Sequence, residues 1–179
     1  MPITLKGSCH CKAIEFELES NTPAPYQLCQ CSICRKTGGY MGSVNIMGNT
    51  DTLKILKGED KMKTYKAFKY ENGQQSGQCG STRKFCGECS TMLWVFDEQW
   101  AHWIYPYAAC IDTELPKIAH GDVTKKGTDQ EEDSAVMLTI MRSSAPGYVP
   151  VPEGSVVYDS YPPGEGIEAY HKKHKLWVD

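Results

Sequence analysis

The sequence predicts a mainly β fold of short antiparallel sheets that ends in a short C-terminal helix. Three observations carry the prediction. Apolar and charged residues alternate strictly near the amino terminus, short β-branched and aromatic runs follow one another between Gly, Asn and Asp turns, and cysteines cluster at three places up to residue 89. At 179 residues the chain has the size of one ordinary domain. No internal repeat or second core marks a boundary, so residues 1–179 read as a single domain.

The first clear strand lies in 13–19, where Ile14, Phe16 and Leu18 alternate with Glu15, Glu17 and Glu19 and so place one face on a core. Pro23 and Pro25 interrupt it, and 26–28 lead extended into the central cysteines, which read as the end of a strand and a tight turn. Thr37, Gly38 and Gly39 then form a turn that either presents free amides to an anion or only reverses the chain. Runs at 43–46, 52–56 and 63–68 suggest an antiparallel meander. Residues 81–85 enter the cysteine pair at 86 and 89 and residues 91–96 leave it, so that pair caps a hairpin. The aromatic stretch with Trp100, His102, Trp103, Ile104, Tyr105 and Tyr107 reads as core filling, with a substrate wall as the alternative.

Beyond Cys110 the text changes. Residues 125–133 are a mixed charge run without apolar anchors, read as a solvated loop. Residues 136–141 form a buried apolar run whose period fits strand or helix alike, and prolines at 146, 150, 152, 162 and 163 imply an extended segment. The closing stretch, 167–177, suits a short helix with Ile167, Tyr170, His174 and Trp177 near one face.

The cysteines carry the chemistry. Cys29, Cys31 and Cys34 set three thiols within six residues, enough to hold one metal ion and leave a coordination position vacant. Cys9 with Cys11, and Cys86 with Cys89, make two further pairs that together complete a set of four, the second pair having zinc-knuckle spacing. His10 stands between two better ligands, and a strand would point it away from both. Cys79 and Cys110 read as buried or spare thiols, with a visit of Cys79 to the metal as the sharper alternative. Nine cysteines, an odd number, without an apolar leader point to metal thiolates in a reducing compartment, the cytoplasm. No window approaches the ~20 apolar residues of a membrane span. A formal net charge of −3 without a basic cluster argues against nucleic acid as a partner.

Gly7, Ser8, Cys9, His10 and Cys11, then 29–38 with Cys29, Cys31, Cys34, Arg35, Lys36 and Gly38, then Arg83, Lys84, Phe85, Cys86 and Cys89 resemble the glutathione-dependent formaldehyde-activating enzyme family, which includes centromere protein V. The likeness is specific over about 5–115 and weaker over 116–179. It implies a β-tent fold with two zinc sites: Cys9, Cys11, Cys86 and Cys89 for a structural zinc, and Cys29, Cys31 and Cys34 for a catalytic one, the latter the more easily lost. It also implies carbon-sulfur lyase activity on a thiol-aldehyde adduct such as S-hydroxymethylglutathione, with glutathione or another small thiol as partner. Lys12 and Ser90 depart from the pattern, standing where members often have glycine.

The residues fit that expectation chemically. A zinc held by three thiolates is electron-rich and suited to binding and deprotonating a further thiol. Arg35 and Lys36 are the first candidates for substrate carboxylates, with ordinary exposed cations as the alternative. His102, His171 and His174 are possible proton carriers, or packing residues. Two other functions compete. One is a non-catalytic zinc module for protein interaction. The other is a methionine sulfoxide reductase B, which needs a reactive cysteine in a motif that neither Cys79 nor Cys110 offers.

Overall fold

The computed structural model describes residues 1–118, 136–164 and 166–179, so the charge run at 125–133 lies outside the described residues. The chain divides into two compact units. One, here the knuckle unit, comprises Pro2–Asn21 and Met47–Glu114; the other, the triplet unit, comprises Thr22–Ile46 and Leu115–Asp179 together with Met1.

The knuckle unit holds two antiparallel sheets. In the first, β1 (Ile3–Ser8), β2 (Glu15–Ser20) and β6 (Lys54–Lys57) run in the order β1-β2-β6. In the second the order is β5-β10-β9-β8-β7, from β5 (Gly48–Asn49), β10 (Trp103–Pro106), β9 (Met92–Phe96), β8 (Gln74–Cys86) and β7 (Met62–Glu71). The alternation at 13–19 does what its period requires, burying Ile14, Phe16 and Leu18 while the glutamates face outward. Phe16 meets Trp94 edge to face at 5.1 Å, and Leu5, Leu93 and Ile104 complete this core. Of the aromatic stretch, Ile104 and Tyr107 are buried as core, whereas Trp100 is exposed.

The triplet unit is a four-stranded sheet in the order β12-β11-β3-β4, made of β3 (Gln27–Cys29), β4 (Ser43–Val44), β11 (Leu138–Ile140) and β12 (Val156–Val157), with helices α1 (Ser32–Gly38) and α2 (Ile167–Lys173). Its core joins Tyr26, Val136, Leu138, Ile140, Val156 and Tyr170, and the rings of Tyr26 and Tyr170 stack at 3.7 Å.

Two features of this unit differ from the expectation. The run at 136–141 enters a sheet in parallel with both neighbours, β3 and β12, and Leu138, Thr139 and Ile140 are all buried. A strand covered on both faces shows no alternation, which is why its period was uninformative. The chain after the triplet is not a tight turn but helix α1, and the three-residue step from Cys31 to Cys34 is its first turn. At the C-terminus, α2 buries Tyr170 and His171, the latter fully enclosed. Among the described residues, no helix is long and apolar enough to cross a membrane.

Candidate metal centres

Cys9, Cys11, Cys86 and Cys89 converge in the knuckle unit, every sulfur within 4.8 Å of every other. Cys9 follows β1, Cys86 ends β8, and the 86–89 knuckle caps the β8–β9 hairpin as its spacing requires. The Cys9–Cys11 and Cys11–Cys86 sulfurs lie 3.6 and 3.9 Å apart. Four sulfurs bound tetrahedrally at about 2.3 Å would stand about 3.8 Å apart, so the cluster already has the dimensions of a zinc site. Its protons are unevenly held. The Thr91 hydroxyl, 3.2 Å away, draws the Cys89 thiol down to about 5. Cys11 is lowered by the Ala13 amide, but its contact with Cys89, burial, and its contacts with Cys9 and Cys86 outweigh this and push it up to about 12. Four such sulfurs ionise together only around a cation. His10 is exposed and adds no ligand atom to the group.

Cys29, Cys31 and Cys34 form the second cluster, in the triplet unit, also within 4.8 Å of one another. Cys29 ends β3 opposite Ser43 of β4. Cys31 is the N-cap of α1, its sulfur accepting from the Cys34 amide at 3.3 Å. Gly42 is obligatory beside them: at φ +119° a Cβ there would stand 2.2 Å from the Cys29 carbonyl oxygen. Hydrogen bonds from Cys29 and then Cys34 hold the Cys31 thiol down at about 2, while Cys29 is pushed up by its bonds with Cys31 and Cys34 and by burial. Cys34 is also raised; its bond with Cys29 lowers it, but Cys31 and burial outweigh that. The trio thus holds one thiolate between two thiols. All seven donors of the two clusters are sulfur, and all nine cysteines are free, a set that suits zinc rather than a hard cation. The trio brings one donor fewer than a closed tetrahedral site.

The residue between the first two thiols is locked. Gln30 is fully buried; its amide donates to Ile140 O at 3.0 Å, its Nε2 to Pro150 O at 2.8 Å, and its Oε1 accepts from Arg142 Nη1 at 2.8 Å. Arg142 Nη1 also donates to Val149 O at 2.9 Å. Arg35 Nη1 donates to Gln30 O at 2.6 Å and to Ser144 O at 3.0 Å, so it pins α1 to the chain beyond β11, whereas Lys36 is exposed. Gln30 and Arg142 went unnoticed in the sequence because nothing local signals a partner 112 residues away.

Cys79 and Cys110 belong to neither cluster. Cys110 donates to Leu93 O at 3.2 Å, and burial, then the Asp112 charge, push it up to about 12. His171 is a packing residue, its ring fixed between the Ala24 amide at 3.1 Å and Ile167 O at 2.8 Å.

The profile of the family described as "Glutathione-dependent formaldehyde-activating enzyme" matches residues 4–123. A Halomonas elongata protein named "Putative glutathione-dependent formaldehyde-activating enzyme" is 40% identical over 114 residues, 63% of this chain and 69% of that protein. A Rhodobacter sphaeroides protein of known crystal structure is 22% identical with a TM-score of 0.47, covering 62% of this chain and 91% of that one, too distant to carry weight.

Proposed function

Because this chain belongs to the glutathione-dependent formaldehyde-activating enzyme family, we propose that it is a zinc-dependent carbon-sulfur lyase acting on a thiol-aldehyde adduct such as S-hydroxymethylglutathione. In this reading Cys29, Cys31 and Cys34 hold the catalytic zinc, and Cys9, Cys11, Cys86 and Cys89 hold a structural one. The observation that carries it is the convergence of three thiols, with no fourth protein donor in their cluster, on the first turn of α1. When bound there, zinc supplies positive charge for a sulfur or oxygen anion at the remaining position.

The reaction itself is simple. As the hydroxyl proton of the adduct leaves, the C=O bond of the aldehyde forms, the C-S bond breaks, and its electron pair goes to sulfur, which takes up a proton to become a thiol. The chain prepares for this with a sulfur that is already ionised at Cys31 and a backbone that Gln30 and Arg35 hold rigid. Lys36, exposed one turn into α1, is placed to meet a substrate carboxylate, while Arg35 has committed one nitrogen to backbone carbonyls. Reduced cysteines throughout are consistent with a reducing compartment such as the cytoplasm.

The test is metal content per chain together with exchange spectroscopy of formaldehyde with glutathione. Two zincs and accelerated exchange are expected, with Cys31→Ser losing the acceleration while remaining folded. One zinc and unaltered exchange would leave a non-catalytic zinc module as the better reading.

A further inference from the structure

The knuckle unit buries a guanidinium that it does not neutralise. Arg83, near the end of β8, is only 5% exposed, and its Nε and Nη1 are enclosed with no hydrogen-bond partner among the described residues. Such a group is among the costliest to leave unpaired in a protein interior, and arginine cannot escape by shedding its proton.

Its neighbours do not supply the missing charge. Strand register sets Tyr65 of β7, Arg83, Val95 of β9 and Tyr105 of β10 in one row across one face of the sheet. That row contains no carboxylate. Asp97, just beyond β9, accepts from the Gln99 amide at 3.0 Å and forms no ion pair with Arg83. The adjacent cation, Lys84, alternates to the other face, where it donates to Thr64 Oγ1 at 2.8 Å. Arg83 is therefore a solitary positive charge between an aromatic and an aliphatic side chain.

We propose that Arg83 is the anchor of a carboxylate-binding site in the knuckle unit. One buried positive charge is balanced by one negative charge, which a carboxylate provides; a phosphate dianion would leave an excess charge in an apolar row with no second cation to meet it. Glutathione offers carboxylates of this kind, and naming it as the bearer rests on the function proposed above. The site itself rests on Arg83 and its row alone.

The proposal predicts an unusual stability result. Replacing an arginine that has a partner in the chain destabilises the fold, but replacing an unpartnered one removes a burden. Ligand-free Arg83→Met should melt at or above the wild-type temperature. Calorimetric titration of the zinc-loaded full chain supplies the second arm, using S-methylglutathione, which has no free thiol, and its dimethyl ester, which has no free carboxylate. Wild type should bind the acid at least tenfold more tightly than the ester, Arg83→Met should bind both equally weakly, and Arg83→Lys should regain part of the difference. In formaldehyde exchange, Arg83→Met should raise KM and spare kcat. A lower melting temperature for Arg83→Met, equal binding of acid and ester by wild type, or binding of neither, would overturn the site. Carboxylate-dependent binding that persists in Cys31→Ser without any exchange activity in wild type would instead sink the lyase reading and leave Arg83 standing.

Discussion

Lys12 and Ser90 hold the same backbone conformation at matching places in two separate turns. Each follows the second cysteine of its pair, each is left-handed at φ 60° and 62°, and each donates its amide at 2.9 Å to the carbonyl of the pair's first cysteine, Cys9 or Cys86. The two pairs are thus one turn built twice, although Cys9 and Cys11 are two apart and Cys86 and Cys89 three. Glycine is the residue such a turn favours. The two departures from the family pattern preserve the turn and its cysteine geometry at the expense of some backbone strain.

Relieving that strain should stabilise the protein. Ser90 is exposed and no side-chain hydrogen bond ties it to the turn, so Ser90→Gly should raise stability by about 0.5–1 kcal/mol, less than the full left-handed penalty because glycine also loosens the unfolded chain. For a chain of this size the melting temperature should rise by roughly 2–3 °C. Lys12→Gly should gain less, because Lys12 Nζ reaches Ser8 Oγ at 2.6 Å and Asp112 at 3.3 Å.

The opposite substitution at the triplet should be severe. Gly42→Ala would drive a methyl group to 2.2 Å from the Cys29 carbonyl at a φ of +119°, where β3 and β4 meet. A loss above about 2 kcal/mol is expected from strain and displaced backbone together. Zinc titration should also find the trio's affinity reduced, since Cys29 must move with its carbonyl.

The two metal centres should separate in their effect on folding. Cys86 is fully buried where β8 ends, so Cys86→Ser or a strong chelator should cost the knuckle unit several kcal/mol along with one zinc per chain. Cys31→Ser leaves the α1 N-cap with an acceptor oxygen and should cost about 1 kcal/mol or less. Equal melting temperatures for both variants would contradict the division into a structural and an open site.

Arg142 should act on the trio without touching it. Arg142→Met strips the acceptor Oε1 of a fully buried Gln30 of its partner, which costs about 1–3 kcal/mol, and frees the backbone between Cys29 and Cys31. Outer contacts of this kind typically alter metal affinity by about 10–100-fold. A competition titration against a zinc chelator should therefore register a loss at the open site and none at the knuckles.

How far the sequence disclosed this architecture depended on how local each signal was. The β2 alternation of Ile14, Phe16 and Leu18, the hairpin around Cys86 and Cys89 and the grouping of the seven cysteines all follow from spacing within a few residues. The parallel strand at 138–140 was hidden, since burial on both faces erases the period of two. Helix α1 was hidden because Gly38 and Gly39 at its end speak for a turn, and its start is capped by a sulfur, which is a rare N-cap. Gln30 with Arg142, and the solitary Arg83, are properties of the folded chain alone: their meaning lies in which partners arrive, or fail to arrive, from distant sequence.

His171 should make the triplet unit sensitive to acid. Its ring is enclosed with Nδ1 against Ile167 O at 2.8 Å and Nε2 receiving the Ala24 amide at 3.1 Å, an arrangement only the neutral ring with its proton on Nδ1 can satisfy. Burial lowers its pKa below the ordinary 6.5; the Ile167 carbonyl partly opposes this, and the nearby His174 adds to it. The folded state thus holds fewer protons than the unfolded one once pH falls below about 6.5, so the stability from His171 is complete above that value and drains away as pH descends toward the lowered pKa. The slope contributed by one such group is at most about 1.4 kcal/mol per pH unit. Urea unfolding of wild type and His171→Gln between pH 7.5 and 5 isolates it from the carboxylates common to both. Glutamine offers an oxygen to the Ala24 amide yet does not titrate, so the variant should be less stable at pH 7.5 and the gap should close toward pH 5; a constant gap would mean that His171 does not change its protonation on unfolding.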